Sequence, residues 1–377
     1  MLSFWEKESL AKTDYLIVGG GIVGLSTAAS LIEKEPEANI TVIERGVFPS
    51  GASTKNAGFA CFGSISELVD DLKTETPENV AALVEMRWQG IQQLRKRLGD
   101  EKIGLYAYGG YELLWDENSA YLSKLEEINK MLQPIFGENV FEIRSDKINS
   151  FGFDPKKVKS ILYNKFEAQI NTGEMMNSLI KFVTTRGVRI LTGTTAEDFV
   201  ENSNNVTVQI STSDKVKAEL KANKVAFCTN AFTKKFFPTL DIVPGRGQVL
   251  VTKPIEHLKF KGVFHYDEGY FYFRNIGNRV IFGGGRNLDY EAEKTEQFGQ
   301  NDKLLNRLHQ DLKEFILPNT SYEIDYNWSG IMAFGKTKTP IIEKQSERVV
   351  VGARLGGMGV AIGTTVGENL VEKLVRE

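Results

Sequence analysis

The chain is poor in the residues that build metal centres and disulfides. Its 377 residues include two cysteines, Cys61 and Cys228, and three histidines, His257, His265 and His309. The cysteines form no Cys-x-x-Cys pair, and none of the five residues lies near another in sequence, whereas the usual metal and redox motifs are closely spaced. The sequence therefore gives no support to a metal site or a redox disulfide.

An excess of positive charge is also absent. The chain has 46 Lys and Arg against 49 Asp and Glu, a formal net charge of -3. Its basic residues are scattered rather than gathered into a stripe, and nucleic-acid binding depends on such a basic patch. We therefore expect no nucleic-acid partner.

Long apolar runs are missing as well. Residues 349–367 are mostly apolar, but Arg354 and several glycines interrupt them, which indicates a turn rather than a membrane span. The first residues carry acids where a signal peptide would carry a basic patch and an apolar run. We expect a cytoplasmic protein without a transmembrane segment, and its length favours two domains.

A dinucleotide fingerprint is the clearest feature that is present. Residues 15–18 form an apolar strand, and the turn that follows places glycines at Gly19, Gly21 and Gly24. Gly19 permits the tight turn, Gly21 lets the backbone approach a pyrophosphate, and Gly24 lets a helix pack on the strand. This helix opens at Ile22 and Val23, and its N-terminus favours negative charge.

An acidic residue ends the second strand of this unit. Glu44 follows Gly24 by twenty residues, the spacing at which a carboxylate binds the adenosine ribose and disfavours a 2'-phosphate. Arg45 comes next. The pattern predicts a dinucleotide without a 2'-phosphate and argues against NADP.

The rest of the chain alternates between helical and strand-like segments. Aromatic strand-like segments at 247–252, 269–274 and 279–283 predict a separate, largely antiparallel sheet. A strand at 348–352, a glycine-rich turn and a final helix would return the chain to the nucleotide domain. The fold class is therefore α/β (α+β overall), with a Rossmann-like domain interleaved with a second domain.

The loop Gly51-Ala52-Ser53-Thr54-Lys55-Asn56-Ala57-Gly58 is similar to a Gly-Ala-Ser-x-x-Asn-x-Gly motif. Together with the fingerprint and the turn Gly356-Gly357-Met358-Gly359, it resembles the D-amino-acid oxidase family of FAD-dependent oxidoreductases, which includes glycine oxidase and sarcosine oxidase. Segments 187–190, 229–231, 244–248 and 328–330 extend the resemblance over nearly the whole chain.

The resemblance implies an FAD-binding domain over 1–85, 155–235 and 335–377, and a substrate domain over 86–154 and 236–334. It also implies a set of FAD-binding residues, which includes the fingerprint: Gly19, Gly21, Ile22, Val23, Gly24, Glu44, Arg45, Ser53, Thr54, Asn56, Ala57, Gly58, Ala196, Thr229, Asn230, Gly330, Arg354, Gly356, Gly357, Met358, Gly359 and Val360.

The sequence also departs from the family pattern. Members that bind an α-carboxylate commonly show Trp-x-Gly-x-Arg, but Met332 occupies the Arg position after Trp328. Lys336 and Lys338 are candidates for the missing cation, and solvated surface lysines are an equal alternative. Residues 354–360 contain no cysteine that could attach the cofactor, so we expect non-covalent FAD.

Five residues are candidates for the substrate site. Tyr270, Tyr272 and Arg274 share one face of a strand and present hydroxyls and a guanidinium either to a cavity or to solvent. Arg354 is a lone charge in an apolar turn and needs an anionic partner. Met332 is the fifth.

We expect an enzyme that oxidises the C–N bond of a small amine or amino acid by hydride transfer to flavin. Oxidation of a 2-hydroxy acid or glycerol phosphate is the nearest alternative, and a non-catalytic flavin-binding sensor or scaffold is an alternative of another class. The sequence leaves open the substrate, the electron acceptor and the oligomeric state, a homo-oligomer included.

Overall fold

The computed structural model describes residues 3–116, 119–212, 214 and 216–375. Its strands are β1 (Lys12–Val18), β2 (Ile40–Ile43), β3 (Phe59–Ala60), β4 (Gly110–Leu114), β5 (Phe141–Ile143), β6 (Ser160–Asn164), β7 (Ala168–Gln169), β8 (Arg189–Leu191), β9 (Thr194–Glu201), β10 (Val206–Thr212), β11 (Lys217–Phe227), β12 (Val243–Thr252), β13 (Val263–Tyr266), β14 (Phe271–Ile276), β15 (Arg279–Gly284), β16 (Ile324–Phe334), β17 (Ile341–Lys344) and β18 (Val349–Ala353).

The α-helices lie between these strands in both halves of the fold. They are α1 (Ile22–Lys34), α2 (Ile65–Asp71), α3 (Pro77–Leu98), α4 (Ala120–Ser123), α5 (Leu125–Phe136), α6 (Lys147–Phe151), α7 (Thr172–Thr184), α8 (Tyr290–Glu293), α9 (Asp302–Asp311) and α10 (Gly359–Val375). None of the described helices is both long and apolar enough to cross a bilayer.

The first sheet carries the dinucleotide fingerprint at its centre. Its order is β17-β18-β11-β1-β2-β8, and β1 pairs in parallel with both β2 and β11. Both faces of β1 are buried, which explains its continuous apolar sequence. Helices α1 and α10 pack together in the core beside it, so the N-terminal turn and the C-terminal turn meet at one edge of the sheet.

The second sheet has the order β16-β12-β15-β14-β13-β4-β6-β5. It is mixed rather than wholly antiparallel, because β13 and β4 pair in parallel. One face buries an aromatic core that includes Phe264, Phe273 and Phe282, with Leu308 of α9 packed against it. The opposite face carries Tyr272 and Val249 towards the first sheet.

Two elements make contacts across the expected domain boundaries, which stay a prediction. The strand β6 falls within 155–235, but it pairs with β4 and β5 in the second sheet. Helix α3 extends past residue 86, but it packs along α10 of the first domain. Long-range strand pairing and helix packing decide both placements, and local sequence does not encode them.

Candidate functional site

The fingerprint turn is shaped by the close approach of three backbone segments. Gly19 adopts a φ of +111°, and a Cβ atom there would stand 2.6 Å from the carbonyl oxygen of Cys228. A Cβ on Gly24 would stand 1.9 Å from the carbonyl oxygen of Gly19. Only glycine fits at either position, so the turn holds the N-terminus of α1 against β1, as the sequence predicts.

Glu44 lies beside this turn with its carboxylate held in place. One carboxylate oxygen accepts a hydrogen bond from the backbone N–H of Gly20 at 3.1 Å. The other accepts from the backbone N–H of Gly46 at 2.9 Å and from the hydroxyl of Ser50 at 3.0 Å. Glu44 is buried in protein yet lines the cavity described below, which is the placement that a ribose-binding acid requires.

Two side chains fix the loop 51–58, one to the fingerprint helix α1 and one to the loop itself and to α7. The hydroxyl of Ser53 accepts from the backbone N–H of Ile22 at 2.8 Å. Asn56 donates to the carbonyl oxygen of Ser53 and accepts from Gly58 N–H and the hydroxyl of Thr172. The loop is therefore a rigid wall rather than a mobile connection.

A cavity of about 1020 Å³ extends from the fingerprint to the second sheet. It brings together most of the predicted cofactor residues: Gly19, Gly21, Ile22, Val23, Glu44, Arg45, Ser53, Asn56, Ala57, Ala196, Thr229, Asn230, Gly330, Gly356, Gly357, Met358, Gly359 and Val360. The N-terminus of α10 begins in this wall, so its unpaired amides add positive potential there.

Three predicted cofactor residues lie outside the cavity wall. Gly24 serves the packing of α1, and Gly58 makes a turn at a φ of +77° beneath the loop. Thr54 is exposed, and its hydroxyl donates to the carbonyl oxygen of Pro49 at 2.6 Å. In this structure the three residues support the turn, the loop and the helix around the cavity, and their contact with the cofactor stays a prediction.

Arg354 does not face the cavity either. Its guanidinium binds the carboxylate of Asp241 at 2.8 Å and donates to the carbonyl oxygen of Thr339 and the hydroxyl of Thr337. The side chain is 13% exposed. The anionic partner of its guanidinium is therefore a protein carboxylate, and a contact of Arg354 with the flavin or the substrate stays a prediction.

Arg274 is likewise committed to the protein. It is buried and donates to the carbonyl oxygens of Ala57, Ile170 and Asn275. Burial lowers the pKa of its guanidinium to about 10, so it stays charged at neutral pH. Arg274 positions the loop 51–58 against β14 and does not line the cavity, because its end of the strand is covered by that loop.

Tyr270, Tyr272 and Met332 do line the cavity. Burial raises the pKa of Tyr272 to about 12, so its hydroxyl stays protonated and available as a donor. A Cβ on Gly247 would stand 2.9 Å from Cε of Met332 and 3.8 Å from the hydroxyl of Tyr272. The two side chains therefore adjoin over a glycine of β12, at the second-sheet end of the cavity.

The two lysines considered as the missing cation, Lys336 and Lys338, differ in whether a carboxylate pairs with them. Both line the cavity and both are exposed. Lys338 forms an ion pair with Asp71, so its charge is already balanced. Lys336 makes no ion pair with any described residue, and its backbone N–H donates to Asp241 at 2.7 Å.

Sequence reasoning missed Arg286. It follows β15, lines the cavity and places its guanidinium 3.9 Å from the ring centre of Phe334. Its motif is only a run of glycines before an arginine, so no spacing in the sequence singles it out. Strand pairing alone brings it to the cavity.

A buried cluster of Cys61, Glu167 and His265 was also missed. One ligand-type atom from each lies within 4.8 Å of the others, although the residues are far apart in sequence. His265 Nε2 lies 3.3 Å from Glu167, close enough for an ion pair but without hydrogen-bond geometry. Burial opposes a charge on His265, yet the nearby carboxylates, Glu167 foremost, raise its pKa above the ordinary value.

Comparison with known proteins identifies the family to which the chain belongs. A family model described as FAD dependent oxidoreductase matches residues 14–373, and the chain belongs to that family. It is therefore an FAD-dependent oxidoreductase of the D-amino-acid oxidase type. No curated protein matches the chain.

Several solved structures share the fold. L-proline dehydrogenase from P. horikoshii is 20% identical with a TM-score of 0.75, covering 97% of this chain and 93% of its own. Glycine oxidase from Geobacillus kaustophilus is 19% identical with a TM-score of 0.75, covering 96% and 95%. L-amino acid deaminase from Proteus vulgaris is 16% identical with a TM-score of 0.74, covering 97% and 90%.

Proposed function

We propose that this enzyme oxidises the C–N bond of a small amino acid or amine. The observation that carries the proposal is the continuous cavity, which joins the fingerprint, the turn 356–359 and an aromatic wall of the second sheet. A substrate at that wall would adjoin a flavin held by the turn. L-proline dehydrogenase, L-amino acid deaminase and glycine oxidase, which share the fold, are all named for amino-acid substrates, and this supports the substrate class.

The residues of the cavity fit FAD. Glycines at Gly19 and Gly21 leave space that a side chain would fill, and Glu44 presents a fixed carboxylate. The N-terminal ends of α1 and α10 meet at the same cavity and suit a pyrophosphate and the negative charge of a reduced flavin. When bound, the cofactor supplies hydride acceptance, and the oxidised substrate is an imine that water hydrolyses.

The chain's own groups bind and orient the substrate. Tyr272 is a protonated donor at neutral pH, and burial raises the pKa of the Cys61 thiol well above its ordinary value, so neither is an ionised base. Met332 and Phe59 form apolar walls that limit water. Catalysis here would rest on positioning and exclusion of water rather than on an acid–base triad.

The test is anaerobic bleaching of the bound flavin by a panel of amino acids, amines, 2-hydroxy acids and glycerol phosphate. We expect bleaching by an amino acid or amine, with ammonia and a carbonyl compound as products. Bleaching only by hydroxy acids or glycerol phosphate, without ammonia, would establish the C–O alternative. A flavin that no member bleaches would favour a sensor or scaffold. A cytoplasmic location and the oligomeric state stay predictions.

A further inference from the structure

Arg286 is a cation on the cavity wall that has no direct carboxylate partner among the described residues. Its guanidinium makes no hydrogen bond and no ion pair with any residue in the described part of the chain. Its nearest neighbours are rings, with the guanidinium carbon 3.9 Å from the ring centre of Phe334 and 4.8 Å from that of Tyr290. Burial lowers its pKa, which shows that the charge is partly desolvated.

The acid in this region is already occupied. Glu293 lies in α8, and its carboxylate binds Arg246 at 2.8 and 2.9 Å. It also accepts hydrogen bonds from Gln248 and Asn301. Glu293 is therefore saturated by other donors, which leaves Arg286 free to bind an anion from outside.

One glycine and a ring hold Arg286 in place. A Cβ on Gly245 of β12 would stand 3.5 Å from Cδ of Arg286 and 2.5 Å from the Phe334 ring. Phe334 follows Met332 by two residues on β16, so both point to the same side of that strand. The bare surface of β12 thus lets the arginine lie across it, with its planar head stacked on an aromatic face.

Arg286 lies close to the groups at the substrate end of the cavity. Its positive charge lowers the pKa of Tyr272 against the larger effect of burial, so the two groups interact. Met332 neighbours the Tyr272 hydroxyl across Gly247. Its Sδ also lies 3.8 Å from the position that a Cβ on Gly357 would take, in the turn 356–359 at the flavin end. A ligand between Tyr272 and that turn is therefore within the field of the guanidinium.

The other cations of the cavity are placed differently. Lys338, Lys73 and Lys235 form ion pairs with Asp71, Asp70 and Glu197. Arg45 is exposed and lies over the ring of Phe232, at the fingerprint end of the cavity. Lys336 is exposed, and Lys55 lies 5.7 Å from the ring centre of Phe298. Arg286 alone of these combines partial burial, a planar fork and a stacked orientation.

We propose that Arg286 binds the carboxylate of the substrate and thereby selects amino acids over neutral amines, an inference that rests on the proposed function. The guanidinium fork matches a carboxylate with two parallel hydrogen bonds, and stacking on Phe334 fixes its plane before binding. The position of Met332 on β16 offers no charge, so the arginine that follows β15, on the far side of β12, supplies it from the side.

The first experiment measures binding without turnover. Benzoate and its uncharged analogue benzamide are titrated into the FAD-loaded enzyme, and the visible spectrum of the flavin reports occupancy. We expect benzoate to bind the wild type, and Arg286→Gln to weaken it by roughly 10- to 100-fold, the effect of losing hydrogen bonds to a charged group. Arg286→Lys should lie between them, because a point charge remains without the fork.

The second experiment measures anaerobic flavin reduction by an amino acid and by the amine that lacks its carboxylate. Arg286→Gln should raise the half-saturation for the amino acid and leave that for the amine unchanged. Lys294→Gln is the matched control, because Lys294 is an exposed cation that does not line the cavity, and it should behave as the wild type in both experiments.

Three results would overturn the assignment: no binding of benzoate to the wild type, equal binding to Arg286→Gln, or a comparable loss caused by Lys294→Gln. If no compound reduces the flavin, the proposed function fails, and the benzoate titration still decides whether Arg286 is an anion site.

Discussion

The guanidinium of Arg354 binds the carboxylate of Asp241 at 2.8 Å and is 13% exposed. Its backbone N–H also donates to the side-chain oxygen of Asn230 at 3.1 Å. The arginine thus joins the start of the C-terminal turn to two other segments. An arginine that looks like a ligand for substrate is instead part of the support of the turn.

Arg354→Met should lower the free energy of unfolding by about 2 kcal/mol or more, because it removes a partly buried charged hydrogen bond. Urea unfolding followed by circular dichroism measures this. Asp241→Asn should also lower the free energy of unfolding. The double variant should lose less of this free energy than the sum of the two single losses. A raised half-saturation for substrate with unchanged stability would return Arg354 to the substrate site.

Glu44→Ala should weaken FAD binding by roughly 10- to 100-fold, since the carboxylate would lose charged hydrogen bonds to the ribose. Titration of the apoprotein with FAD, followed by flavin fluorescence, measures the dissociation constant. Glu44→Gln keeps one carbonyl oxygen as an acceptor, so it should lose less FAD affinity than Glu44→Ala. The exposed acid Glu37, changed to Ala, is the control. Equal FAD affinity in all four proteins would mean that Glu44 does not touch the cofactor.

Acid precipitation should release the flavin into the supernatant. The two thiols of the chain are poor nucleophiles, because burial raises the pKa of Cys61 well above its ordinary value and that of Cys228 to about 12. Cys61 is the thiol to test, since its Sγ lies 3.8 Å from Sδ of Met358 in the turn. Cys61→Ser should release the same amount as the wild type. Flavin that stays with the wild-type pellet but leaves the variant would identify a covalent link.

Gly24→Ala should destabilise the protein by about 1–3 kcal/mol and reduce its FAD content, because the new Cβ would stand 1.9 Å from the carbonyl oxygen of Gly19. Gly51→Ala is the matched control on the same cavity, since no heavy atom of the described chain lies within 4 Å of its Cβ position and its φ is -81°. Thermal unfolding and the ratio of flavin to protein absorbance measure both effects. Comparable losses in the two variants would contradict the packing argument.

Glu112 should make stability depend on pH. Burial raises its pKa from 4.5 to about 7, although hydrogen bonds from Ser66 and Ser64 oppose the shift. The folded protein therefore binds a proton that the unfolded chain releases between pH 4.5 and 7, and the free energy of unfolding falls as pH rises through that window. The loss above pH 7 is at most about 3 kcal/mol.

Glu112→Gln imitates the protonated form, so the variant should lose this component of the pH dependence and be more stable than the wild type at pH 8. Urea unfolding at pH 5, 6, 7 and 8 measures the slope. Glu126→Gln, at an exposed position on α5, should keep the wild-type slope. An unchanged slope in Glu112→Gln would show that another group titrates.

The sequence determined the parts of this protein that depend on local geometry. Gly19 needs a positive φ and Gly24 a close approach to the backbone, and only glycine allows either. The glycine spacing in the sequence was therefore enough to predict this turn. Helix α3 also depends on local signals, because the side chain of its N-cap Thr76 accepts a hydrogen bond from the backbone N–H of Asn79 and Pro77 opens the helix.

The tertiary structure alone decided which charged residues reach the cavity. Arg354 and Arg286 both follow a strand near glycines, and nothing local distinguishes them. Arg354 meets Asp241, which lies 113 positions away, and is neutralised. Arg286 is carried by strand pairing to Phe334 and meets no carboxylate in the described part of the chain. The role of a buried charge depends on its partners, and those partners come from segments that only folding brings together.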